Sequence, residues 1–320
     1  MKTKIFLISL WFVFWMAPFF LIAQNKESAK KKSQPDTAGL GQGLNKVLDA
    51  FSKAANENPN DTSASNIAVK ALTNLVGGGG ISAADSAKAI ESFRTAQGGA
   101  GYYYETTTTV TNKQTGNHIS VSRSYFTNSG EGRSEMNIGA MMGAKNTKDL
   151  IVLAHSNHPR YSLILDEQER LYSLNLIDTD LINNNAANYK VTKLGTETIS
   201  GFRCIHAMLN RASGRSSFST SVTMEVWTSV EVPGYGLFKK TMTSQRVTPQ
   251  MLRALEQAGC DGYVVKLNSN GKDFSMSYTL TLAEKRIIPA SLLIIPASYK
   301  QSDDNLIFSS MTGAMRSGKK

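Results

Sequence analysis

Between Phe274 and Leu282 the chain alternates without a slip: Phe274, Met276, Tyr278, Leu280 and Leu282 interleave with Ser275, Ser277, Thr279 and Thr281. Successive side chains of an extended strand point to opposite faces. This stretch is therefore a strand with one face against something apolar and the other in water, the pattern of an antiparallel sheet covered on one side. Other segments agree. Residues 102–110 (YYYETTTTV) are aromatic and β-branched, which suits a pleated surface. Ile119, Val121 and Tyr125 alternate with Ser120, Ser122 and Ser124, and Phe218, Val222, Met224 and Val226 share a face. Residues 150–153 form a short apolar run. Residues 161–165 and 170–176 flank Asp166-Glu167-Gln168 as a hairpin. Pro289 and Pro296 punctuate 287–299, which reads as extended chain at a sheet edge.

Helical patterns are fewer. Leu40, Leu44, Val47, Leu48 and Phe51 make one stripe, and Ser82 with Asp85 reads as a capping box opening a helix through Ile90 and Phe93. Within the strand region a single helix is expected. Thr248 caps it, Pro249 suits its first turn, Gly259 stops it, and Met251, Leu252 and Leu255 form its apolar stripe. The fold class is thus α+β: a curled antiparallel sheet with a few helices and an N-terminal Ala/Gly-rich helical region. One short helix is too small to cover about eight strands, so the N-terminal helices or a ligand must cover the rest.

The N-terminus addresses the chain. Lys2 and Lys4 precede an almost wholly apolar run from Ile5 to Ala23, followed by Gln24 and a polar stretch. A basic start, an apolar middle and a small residue at the cut describe a signal peptide cleaved between Ala23 and Gln24. The run is also long enough to be an uncleaved anchor, against which Pro18 and the small terminal residue weigh. The expected layout is a signal peptide at 1–23, a disordered leader at 24–39, short helices with Gly hinges at 40–100, the sheet domain at 101–300 and a frayed basic tail at 301–320. The formal net charge of +10 sits mostly in the tails: Lys26, Lys30, Lys31 and Lys32 at one end, Arg316, Lys319 and Lys320 at the other. A nucleic-acid groove needs its cations along a folded face, so no nucleic-acid partner is expected. Peripheral contact of the tails with an anionic membrane is compatible with the pattern.

Three stretches in order, 195–204 (GTETISGFRC), 225–229 (EVWTS) and 287–300 (IIPASLLIIPASYK), resemble a family of secreted bacterial domains of unknown function. That family in turn resembles the LolA/LolB-like lipoprotein carriers of the periplasm and outer membrane. Over about residues 100–300 the resemblance implies a curled half-barrel whose concave apolar side is plugged by helices. It carries over a cavity architecture and no catalytic or latch residues.

Catalytic motifs are absent: there is no G-x-S-x-G and no papain-like cysteine box. Gly39–Gly43 follows no strand, and Gly77–Gly80 lacks the Lys of a phosphate loop. No enzyme activity and no cofactor are expected. His155 and His158 are spaced H-x-x-H beside Pro159 without an obvious third ligand, and Cys204 and His206, which share a face if their segment is a strand, would need a carboxylate as well to bind metal, so no metal is assigned. The two cysteines, Cys204 and Cys260, are either a disulfide closing a 55-residue loop or two buried small hydrophobes. The polarizable Met136, Met141 and Met142, with Ile138, lie in a Gly-containing segment suited either to a cavity mouth or to core filling. Together with Met251, Leu252, Leu255, Phe274, Met276 and Tyr278 they are the candidate lining of an apolar cavity. The expected function is a non-catalytic exported module holding an acyl chain, a lipoprotein or another apolar ligand. The alternative is a structural or interaction component of the cell envelope whose cavity is filled by its own side chains.

Overall fold

A computed structural model of the chain describes residues 83–113, 116–137, 140, 149–158, 161–176, 189–211, 223–244, 250–270, 274–302 and 306. The expectations for the signal peptide, the leader, the helices before residue 83, the caps Ser82, Thr248 and Pro249, and the residues Phe218 and Val222 lie outside them.

Twelve strands form one sheet in the order β12-β6-β5-β4-β3-β2-β1-β11-β10-β9-β8-β7. Two meanders build it. The first runs β1 (Gly98–Asn112), β2 (Gly116–Thr127), β3 (Glu131–Met136), β4 (Leu150–His155), β5 (Tyr161–Asp166) and β6 (Leu171–Leu176). The second runs β7 (Tyr189–Ile199), β8 (Phe202–Arg211), β9 (Thr223–Ser229), β10 (Tyr263–Asn270) and β11 (Phe274–Pro289). The first strand of one meander pairs with the last strand of the other, β1 with β11, from Gly98↔Pro289 to Asn112↔Phe274. All pairs are antiparallel except β12 (Lys300–Gln301), which adds in parallel to the β6 edge. The result is the expected curled, open antiparallel sheet with few helices. Its hairpins carry the expected turn chemistry: Ser200 and Gly201 both have positive φ (50° and 82°), as does Arg170 (53°) after Asp166-Glu167-Gln168.

Three helices are described: α1 (Ala83–Arg94), α2 (Tyr235–Ser244) and α3 (Gln250–Gln257). The sequence reading anticipated α1 and α3 and missed α2. Gly259, at φ 67°, ends α3, and the Cys260 amide donates back to the Leu255 carbonyl (2.8 Å). The segment after β10 differs from expectation. Residues 287–289 are not at an edge but complete β11 against β1; only beyond Pro289 does the chain leave, through a 3-10 turn (Ala290–Leu292), to reach the edge as β12.

The two faces of the sheet can be followed strand by strand, because directly paired residues share a face. Met251 and Leu255 of α3 pack on one face, against Ala207, Leu209, Met224, Val226, Leu267, Met276, Tyr278 and Val110. Phe93 of α1 packs on the other, against Ile151, Leu153, Leu163, Leu165 and Tyr172, with Ile295 beside it. We call these the α3 side and the α1 side.

Two places break the simple alternation. In β11 the register against β1 shifts between Glu105 and Thr106, so Leu280 lies opposite Thr106 and Leu282 opposite Glu105. The extra residue turns Leu282 to the α1 side, where it is 40% exposed, and turns Ala283 inward to the second apolar cluster. In β2 the faces are the reverse of an apolar-inside pattern: Ser120 and Ser122 are buried, while Ile119 and Val121 are 64% and 42% exposed. Pairing fixes this, because Ser122 lies opposite Thr106 and Ser120 opposite Thr108, on the α3 side with Tyr278 and Leu280.

Candidate functional site

The α3 side is where the sequence-derived candidates meet. Met251, Leu255, Met276 and Tyr278 belong to one cluster and are 1–8% exposed. Leu252 is half-buried and touches both this cluster and a second one built on Tyr104, Phe126, Phe238, Tyr263, Val265 and Leu280. Met136 is buried on the same side but belongs to β3, opposite Leu150, and is not part of the α3 cluster. Phe274 opens β11 opposite Asn112. Ile138, Met141, Met142, Ala23 and Gln24 lie outside the described residues.

The helices are tied down by polar contacts at their ends. Lys239 of α2 reaches Asp261 (2.9 Å) and Glu256 of α3 (3.0 Å), and the Tyr235 hydroxyl donates to Asp261 (3.3 Å). The Lys239 ammonium holds the Asp261 carboxyl below its usual range. Under α2 the Tyr104 hydroxyl donates to the Pro233 carbonyl (2.8 Å). Gly234, at φ 84°, allows that approach, since a methyl there would collide with the Tyr104 hydroxyl and the Tyr102 ring. Tyr104 stacks on Tyr263 (5.2 Å), which is hydrogen-bonded to Tyr278; burial raises all three phenols above their ordinary range.

Between the α3 cluster and β4 the same face changes character. Thr106 and Thr108 of β1, Ser120, Ser122 and Ser124 of β2, and Gly132 and Ser134 of β3 form a floor of short, mostly hydroxylated residues. Ser120 donates to the Asn137 carbonyl (3.2 Å), and the Ser124 and Ser134 hydroxyls bond one another (2.9 Å). Thr106, Thr108 and Ser122 are 6%, 2% and 7% exposed, while the buried side-chain atoms without a hydrogen-bond partner among the described residues are His206 Nε2 and Trp227 Nε1. The sequence reading missed this floor. The signal was present in the alternating serines of 120–124, but an apolar-inside reading pointed them to water.

Cys204 and Cys260 are free, buried thiols, so the disulfide considered above is not formed in this structure. They belong to different clusters, Cys260 with α3 and Cys204 with Trp227 and Val232. Burial pushes both thiols up, away from reactivity. His206 stacks on Trp227 (4.1 Å), with Glu197 3.2 Å from its Nδ1 and Lys266 over the far face of the indole (4.6 Å to the ring). His155 lies edge-on to Phe93 (6.1 Å), and burial lowers its pKa. Among the described residues no three His, Cys, Asp or Glu side chains are grouped to hold a metal ion.

With this geometry in view, the chain belongs to the DUF4412 family, a domain of unknown function, which matches residues 107–299. No curated protein matches the chain. Solved structures similar to it include MucB of Pseudomonas aeruginosa in complex with MucA, at 10% identity and TM-score 0.32, covering 68% of this chain and 62% of that one. The chain therefore spans less than two thirds of MucB. A LolA superfamily protein of Nitrosomonas europaea is 8% identical at TM-score 0.26, covering 67% of this chain and 98% of that one. Lipoprotein LppX of Mycobacterium tuberculosis is 10% identical at TM-score 0.27, covering 62% and 91%.

Proposed function

We propose that the protein is an exported, non-catalytic binding module that takes an acyl chain, or the acyl-bearing end of a lipoprotein, against the α3 side of its sheet. The observation that carries this reading is the cover itself. One eight-residue helix, about 12 Å long, bears Met251, Leu252 and Leu255 on an apolar surface contributed by β8–β11 and β1. Displacing so short a helix exposes a continuous apolar wall, and apolar burial of about 25 cal/mol per Å² supplies the driving force for a chain to take its place. Leu252, touching both clusters, stands where such a chain would enter. Export follows from the N-terminal pattern of Lys2, Lys4 and the apolar run to Ala23, and the basic tails suit transient contact with an anionic membrane.

A specific observation also favours the second reading, a structural envelope component. Met251, Leu255, Met276 and Tyr278 already bury one another. Native mass spectrometry of the protein purified from its own host separates the two. Co-purifying lipid, diminished in Leu252→Asp while the sheet persists by circular dichroism, is the expected result. A clean apo mass together with failure to bind apolar dyes overturns the binding reading in favour of the self-filled one.

A further inference from the structure

We infer that His206 is a proton-operated clasp on the β7 edge: as an imidazolium it ties Glu197 of β7 to Glu225 of β9 across β8, and as a neutral imidazole it releases one of them. The buried side-chain nitrogens without a partner among the described residues, His206 Nε2 and Trp227 Nε1, lie in one stack, with ring centroids 4.1 Å apart. Buried polar atoms left unpaired in this way need a reason beyond packing. At His206 the reason lies around the ring. Glu197 Oε1 is 3.2 Å from Nδ1, and Glu225 Oε2 is 3.7 Å from Nε2. A neutral imidazole carries one N–H and one lone pair. Either neutral tautomer therefore turns a lone pair toward a carboxylate, and only the doubly protonated ring donates to both.

Two bulges place the charges around this stack. In β7, Lys193 pairs with Ala207 on the α3 side and Gly195 with His206 on the α1 side; the extra residue, Leu194, brings Glu197 round beside the imidazole. In β10, Val264 pairs with Thr228 and Lys266 with Trp227; the extra Val265 turns Lys266 over the indole, 4.6 Å from the ring. Without the bulges, the period of two would send both charged side chains to the α3 side. Lys190 of β7 and the Cys204 thiol share the face of His206, and Lys266 lies beyond the indole. Glu231, past the end of β9, accepts instead from the Arg203 amide (3.0 Å).

The clasp acts where β7 has least to hold it. Beyond the bulge β7 is exposed from Gly195 to Thr198, while before it Tyr189 and Val191 pack against the α3 cluster from the opposite face. Protonation thus fastens the strand that shores up that cluster. Its contribution is present at the acid end of the histidine range and is lost as the pH rises through it.

The test measures amide hydrogen exchange in the purified full chain at about pH 5.5 and about pH 8, as protection factors, which remove the pH dependence of intrinsic exchange. The amides of 195–199 that bond β8 should be about fivefold better protected at the lower pH, the scale of one partly exposed charge-assisted hydrogen bond. The amides of β4, away from the clasp, should show no such gain. Nitrogen-15 spectra should show both His206 ring nitrogens protonated at the lower pH and one bare at the higher. In His206→Phe, which keeps a ring on Trp227, the gain should vanish; in Glu225→Gln it should fall to within about twofold. Should His206→Phe not fold, Glu225→Gln and Glu197→Gln, both at part-exposed positions, carry the comparison. Equal protection at the two pH values in the unaltered chain, a gain that persists in the variants, or a bare His206 nitrogen at the lower pH overturns the inference.

Discussion

Strands β4–β6 and strands β8–β11 belong to one sheet but are protected differently. β4 is buried at every position and β5 at its four central ones, with α1 and Ile295 on the α1 side. In β8–β11 only the α3 side is an apolar core. The α1 side there carries His206, Glu225, Lys266, Asn268, Ser277 and Thr279, which remain part-exposed. The difference is written in the side-chain periodicity. The run LIVLA of β4 is continuous, as a strand buried on both faces requires, whereas MSYTL of β11 alternates, as a strand with a wet face requires. It also separates duties. β4 and β5 are thus buried on both faces, while β8–β11 present one apolar face under a short helix, where displacement costs less.

The contrast can be broken most sharply at α1. Phe93 is 1% exposed, and Phe93→Ala should destabilise the fold by about 3–5 kcal/mol in denaturant unfolding, without changing which lipid probes bind. A loss under about 1 kcal/mol would show that α1 does not hold the first meander. Leu252→Asp on α3 should do the opposite, removing ligand uptake with a smaller stability loss, because Leu252 is only half-buried.

Next comes Glu131, which closes the β2–β3 turn near the end of α1. Burial raises its pKa, but hydrogen bonds from Ser129 (2.7 Å), Thr127 (2.8 Å) and the Gln97 amide (3.2 Å) outweigh this and hold it below the usual carboxylate range. Glu131→Gln should cost about 2 kcal/mol. Because its pKa is lowered on folding, its contribution is present above the unfolded value and is lost as the pH falls through the folded one. His155 is lowered too, chiefly by burial, so its protonation on acidification also favours unfolding. Stability should therefore decline from neutral pH toward pH 4, and Glu131→Gln should flatten the acid part of that curve. A pH-independent unfolding midpoint would contradict both assignments.

The thiols provide a third check. Two equivalents should react with a thiol reagent in denaturant without reductant, and almost none in the native state, since both cysteines are buried. A protein with no reactive thiols after unfolding would carry the disulfide instead. The smallest effect is expected at the β7–β8 hairpin. Ser200 sits at φ 50°, and Ser200→Gly should stabilise by about 0.5 kcal/mol, a shift readable in the thermal midpoint.

Much of the scaffold could be read from residues alone. Strands β1, β2, β4, β5, β6, β9 and β11, the hairpin at Asp166-Glu167-Gln168, the helix through Ile90 and Phe93, and the stop at Gly259 follow from local pattern, because periodicity and turn chemistry act over a few residues; β3, β7 and β10 carry no such pattern and were missed. Four of the lining candidates, Met251, Leu255, Met276 and Tyr278, meet for the same reason: each lies on the apolar face of its own element. Helix α2 escaped because YGLFKKTMTS has only a weak apolar stripe.

What the chain could not declare locally is how its faces are shared out. A period of two says that the faces of a strand differ, while only pairing with a distant strand says which face is covered. Thr106 and Thr108 impose that choice on Ser122 and Ser120, and one extra residue near Thr281 reverses the side on which Leu282 falls. The hydroxyl floor, the separation of Cys204 from Cys260 and the placing of α1 and α3 on opposite faces are all consequences of long-range register, which no window of sequence contains.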